Sequence, residues 1–112
     1  MLKKKSRVNT AMFKEVFAKG RSFHFGTFFL KTLFVEEGGP FFSFVVSKKV
    51  AKRAVARNKI KRRARSIVHK QLPFFKKKIA VVVFFKKGAE KLLFKEIETV
   101  LVEGFKKAKI LR

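Results

Sequence analysis

The sequence predicts an α+β fold: a single α/β sandwich of order αβββαβα around a small mixed sheet. Three observations predict it. Apolar residues recur at helical spacing in residues 10–19, 54–69 and 89–107. Residues 21–47 and 79–85 are instead aromatic and β-branched runs without helix caps. At 112 residues the chain is long enough for one domain with one modest core.

Composition narrows the function before any element is placed. Lys and Arg number 30 against seven acids, a formal net charge of +23. Such a field favours association with polyanions and opposes compaction of the free chain. A membrane surface is one candidate polyanion. The longest apolar run, residues 79–85, is far too short to span a bilayer. Lys3-Lys4-Lys5 is not followed by an apolar signal segment. Nucleic acid is therefore the expected partner. Apolar residues make up 47% of the chain, which argues against a disordered tail. Sixteen are Phe; there is no Trp, Tyr or Cys, so disulfides and thiolate metal sites are excluded.

Residues 1–8 read as a basic, solvated arm, and residues 9–112 as the single domain. Asn9 can cap a helix over 10–19, with Gly20 placed for a left-handed residue just past its end. Met12, Phe13, Val16 and Phe17 share its apolar side; Met12 and Val16 are expected in the core. Gly26 divides the next stretch into a short strand and a longer one, 27–35. Alternation puts Phe28, Leu30, Thr32 and Phe34 on one face and Phe29, Lys31, Leu33 and Val35 on the other. Glu36-Glu37-Gly38-Gly39-Pro40 is a turn. Residues 41–47 return as a strand, with Phe42, Phe44 and Val46 on one face and Phe41, Ser43, Val45 and Ser47 on the other.

The stretch 47–65 organises the rest. More than half of it is Lys or Arg and none is acidic. As a helix it places Ala56, Ile60, Ala64, Ile67 and Val68 on one stripe and Asn58, Lys61, Arg62 and Arg65 on an adjoining face. Such a helix rests on a core and presents cations to a polyanion. Pro73 ends it. Residues 79–85 form a strand covered on both faces. The last helix, 89–107, buries Leu93, Ile97, Val100, Leu101 and Phe105. It carries four of the seven acids, so it is the element least attractive to RNA.

Ser47-Lys48-Lys49 followed by Arg57-Asn58, Lys61-Arg62 and Arg65 closely resembles the signature of the bacterial ribonuclease P protein family, in which a strand ending S-K-K leads to a helix carrying R-N-x-x-K-R-x-x-R. The resemblance extends over nearly the whole chain. It implies a ribosomal-protein-S5-domain-2-like sandwich. It also implies a left-handed βαβ crossover, although such crossovers are right-handed in about 98% of cases. It implies that Arg53, Arg57, Asn58, Lys61, Arg62 and Arg65 bind a catalytic RNA subunit. Phe13, Phe17, Phe29, Lys31, Lys48 and Lys49 would line a cleft for the 5′ leader of precursor tRNA. The expected function is that of a protein subunit assisting endonucleolytic leader removal. No cofactor is expected on the protein itself, with Mg²⁺ entering through the RNA. No membrane and no further protein partner is required, and the expected compartment is the cytoplasm.

The residues themselves agree that catalysis lies elsewhere. A metal-dependent nuclease needs clustered carboxylates. This chain has no Asp, and its Glu residues lie away from the basic block in sequence. His24 and His69 are lone histidines on different elements, read as surface or hydrogen-bonding groups. A ribosomal or other RNA-scaffold protein would share the charge and size but not need the aromatic cleft. A helix-turn-helix reading is disfavoured because a β strand precedes the basic helix.

Overall fold

A computed structural model describes residues 7–111. Its elements run in the predicted order: α1 (Thr10–Lys19), β1 (Arg21–His24), β2 (Phe28–Phe34), β3 (Phe41–Val45), α2 (Ala54–Gln71), β4 (Ile79–Phe85) and α3 (Phe94–Lys107). The predicted basic arm lies outside the described residues except for its end. There Val8 N–H donates to the Phe42 carbonyl (3.0 Å), so pairing on the edge of β3 begins before the predicted domain start.

The sheet order is β1-β2-β4-β3. β4 is central, antiparallel to β2 (Phe29 opposite Phe84, Lys31 opposite Val82) and parallel to β3 (Val45 opposite Phe84). A continuous apolar strand suits that place, because both its faces are covered. On one face Phe28, Leu30, Phe42, Phe44, Val81 and Val83 pack beneath Ile60, Ala64, Ile67 and Val68 of α2 and Ile97, Leu101 and Phe105 of α3. Full burial of each such Val, Leu, Ile or Phe side chain contributes about 1.5–3 kcal/mol. The opposite face is smaller: Val16 of α1 closes over Ala80 and Val82. Parallel pairing of β3 and β4 requires a crossover, and α2 supplies it.

Asn9 caps α1 as expected, its Oδ1 accepting from Met12 N–H (2.9 Å). Gly20 corrects the expectation: its backbone is extended, not left-handed. Glycine is needed there for a different reason. A Cβ would stand 2.4 Å from the Val16 carbonyl oxygen and 2.9 Å from that of Thr32, where α1 turns directly into the sheet. The last helix also starts later than residue 89. Gly88, at φ 109°, opens a 3₁₀ turn over Ala89–Lys91, and α3 begins only at Phe94. Leu93 is thus the cap residue, 71% exposed rather than core. Its N–H is taken by Glu96 Oε1 (2.9 Å). Phe34, predicted to share the buried face of β2, is 77% exposed, because the strand runs past the cover of the helices.

Candidate nucleic-acid interface

α2 contains no acidic residue. Ile60, Ala64, Ile67 and Val68 anchor it. Arg53, Asn58 and Arg62 are exposed, and Arg57, Lys61 and Arg65 are half-buried along their stems. The cap residue Arg53 makes no side-chain capping bond, so the first-turn N–H groups and the cations of α2 are together open to an anion. Arg57 is different from its neighbours. Its Nη1 donates to the carbonyls of Ala51 (3.0 Å) and Lys52 (2.7 Å), bracing the loop that leads into the helix. That loop is tight: the N–H groups of Val50 and Ala51 both donate to the Ser47 carbonyl, and both side chains are buried. Lys48 and Lys49, between them and Ser47, are turned outward and exposed.

The second surface lies on the α1 side of the sheet. Beside Val16, aromatic rings from α1 meet those at the start of β2 and the end of β4. Phe29 stacks on Phe84 (4.6 Å between centroids, 5° between planes). Phe84 in turn meets Phe13 and Phe17 at 6.2 and 6.1 Å. Phe13 and Phe17 lie nearly parallel, 6.3 Å apart. Phe13 is half-buried and Phe17 is 54% exposed, so the pair opens to solvent from the Phe17 end. Lys31 Nζ sits 4.3 Å from the Phe17 ring centre and donates to the Phe17 carbonyl (2.8 Å). A cation is thereby held against the edge of the aromatic platform.

Of the expected cleft residues, Phe13, Phe17, Phe29 and Lys31 come together here. Lys48 and Lys49 emerge three and four residues after Val45, the residue paired with Phe84. Three members were not foreseen. Phe84 is the hub, and Lys86 Nζ lies 5.9 Å from the Phe29 ring while donating to the Phe25 carbonyl (3.1 Å). His24 stacks on the other side of Phe29 (5.1 Å, 23°). Phe84 was hidden in a continuous apolar strand whose partner and register the sequence does not state. Among the described residues, no three His or Glu side chains come together as a metal site. No helix among them is long and apolar enough to cross a membrane.

Comparison with known proteins agrees with this geometry. The family model for ribonuclease P matches residues 2–109. The ribonuclease P protein component of Streptococcus pneumoniae is 35% identical over 112 residues, covering 99% of this chain and 90% of the relative. That of Listeria innocua is 32% identical over 113 residues, covering 99% and 94%. Among solved structures, the Staphylococcus aureus ribonuclease P protein superposes with a TM-score of 0.89 at 27% identity, over 97% of this chain and 100% of that one. The Thermotoga maritima protein, at 23% identity, shares the fold (TM-score 0.81, covering 90% and 96%). A basic crossover helix beside an aromatic platform, on this fold and with these relatives, places the chain in the family of ribonuclease P protein components, the protein subunit of the tRNA-processing ribonuclease.

Proposed function

We propose that the two surfaces divide the work of the subunit. α2 grips the catalytic RNA through Arg53, Asn58, Lys61, Arg62 and Arg65, with Arg57 contributing from the loop junction. Each phosphate neutralised releases condensed counterions, which makes the grip salt-dependent. Asn58 can donate and accept, and so can bridge a phosphate or 2′-OH to a neighbouring group. The platform of Phe13, Phe17, Phe29 and Phe84 holds the single-stranded 5′ leader of precursor tRNA. Bases stack on aromatic faces without sequence preference, as a leader of variable sequence requires. Lys31, Lys48, Lys49 and Lys86 supply the countercharge for its backbone.

The observation that carries the reading is the outward opening of the Phe13–Phe17 pair beside Lys31, a cation-edged stacking surface continuous with Phe84 and Phe29. Phosphodiester hydrolysis and the Mg²⁺ it needs belong to the RNA partner on this reading, and the assembly works in the cytoplasm. The protein contributes position: it holds the leader against the RNA's site and so raises the effective concentration of the scissile bond there.

Reconstitution tests it. The protein is mixed with a bacterial ribonuclease P RNA and a leader-bearing precursor tRNA at low Mg²⁺, and leader release is followed. Cleavage that requires the RNA and is stimulated by the protein is the expected result. Tight RNA binding without stimulation would reduce the chain to a scaffold, and cleavage by the protein alone would place chemistry in this chain.

A further inference from the structure

At the far end of the sheet from the aromatic platform, a third surface combines the same two ingredients. A cavity of about 310 Å³ opens where β1 begins, β2 ends, β4 begins and α3 ends. It is lined by Arg21, Lys76, Lys107 and Lys109 around Thr32 and Phe34. Among the described residues, no carboxylate lines it. The nearest acids in sequence, Glu36 and Glu37, lie on the β2–β3 turn beyond the strand end, and Lys76, Lys77 and Lys78 outnumber them on the connector facing that turn. β4 separates the two sites by its own length, roughly 20 Å at about 3.3 Å per residue.

Two features of this end bear on what it can hold. Phe34 is 77% exposed, whereas Phe28 on the same strand is buried. Lys78 and Lys109 hold positive φ, 59° and 61°. Lys109 is the left-handed residue past α3, its N–H donating to the Lys106 carbonyl and that of Ile110 to the Phe105 carbonyl, and Lys78 sits in a turn where its N–H donates to the Gly38 carbonyl. These turns fix the backbone of both lysines, one beside the partner of Phe34 in the sheet and one in the wall of the cavity. Arg21 is also positioned: its guanidinium carbon lies 5.3 Å from the centre of the Phe23 ring. An open aromatic face ringed by held cations suits a base with its flanking phosphates.

We propose that this pocket is a second single-strand RNA site, separate from both the basic helix and the leader platform. Phe34 takes a base face, and Arg21, Lys76, Lys107 and Lys109 take the phosphates on either side. One RNA engaged here and at α2 or the platform would be held at two points of the same small protein, with a gain in avidity set by the span between them.

The test is an amide-shift titration of the full chain with a short oligouridylate. The platform residues around Phe17 and Phe84 report the proposed leader site, and Arg21, Phe34 and Lys109 report the pocket, so failure of one reading is visible apart from failure of the other. We expect both groups to shift saturably. Phe34→Ser, and separately Arg21→Gln with Lys109→Gln, are expected to weaken the pocket titration at least fivefold and leave the platform titration within twofold. These side chains are exposed, so the variants keep the core intact. Pocket amides that stay still at saturation, or titrate unchanged in both variants, would overturn the proposal. So would equal shifts with a polyglutamate peptide, which would assign the pocket to acidic protein instead.

Discussion

Arg57 and Arg62 ride the same helix, but Arg57 alone of the two is tied to the protein through the Ala51 and Lys52 carbonyls. Their replacements separate folding from binding. Arg57→Ala is expected to lower stability by about 1–2 kcal/mol, the scale of hydrogen bonds from a charged donor at a partly exposed site, and to weaken RNA binding as well. Arg62→Ala leaves the unfolding midpoint in urea unchanged and lowers the log–log salt slope of RNA binding by about one phosphate's worth. An unchanged slope in Arg62→Ala would remove that residue from the interface. Phe17→Ala is expected to weaken leader-bearing substrate more than leaderless tRNA, by about 1–3 kcal/mol for one stacked base. Equal losses on the two substrates would mean that Phe17 serves packing. At this scale the sequence was readable where a position has a single partner, as at Asn9. It was opaque at Phe84, because an unbroken apolar strand has no polar face to say which rings turn toward α1.

Among the elements, α2 and α3 show what periodicity can and cannot decide. The stripe of Ala56, Ile60, Ala64, Ile67 and Val68 was legible because cations interrupt it on every turn, and all but the half-buried Ala56 are buried. The start of α3 was not, because Ala89 and Leu93 fit a helical repeat whether or not the backbone is helical; Gly88 and the 3₁₀ turn displace the start to Phe94. The cap of α2 carries a testable cost. Arg53 makes no capping bond, so Arg53→Ser is expected to stabilise the protein by about 0.5–2 kcal/mol while weakening the RNA grip, as thermal unfolding and RNA titration would read. α3 has an opposite constraint. Gly104 is helical, where alanine would ordinarily help, yet a Cβ there would lie 2.5 Å from the ring tip of Phe28. Gly104→Ala is expected to destabilise by about 1–3 kcal/mol through overpacking, measured by urea unfolding.

For the whole molecule, +23 on 112 residues dominates. The free protein repels itself, and anions that occupy its cationic surfaces relieve that repulsion. Its melting temperature is therefore expected to be higher in sulfate or phosphate than in chloride at equal ionic strength, by mass action on sites that only the folded form presents. Identical melting in the two salts would argue against such sites. The charge and the family signature were plain in the sequence; the distribution of cations over separate surfaces was not, since it depends on which strand ends the topology brings together.

The strand order has a consequence in time. β2 and β3 are neighbours along the chain but not in the sheet; each pairs with β4, and β4 is made after the whole basic helix. A ribosome releasing this chain thus delivers its most highly charged segment before the strand that completes the sheet behind it. For that interval α2 has no finished floor to lie on, while polyanions are already within reach. On the proposed role of α2, this order of synthesis would let RNA meet the helix before the fold has closed and join partner binding to the last step of sheet assembly.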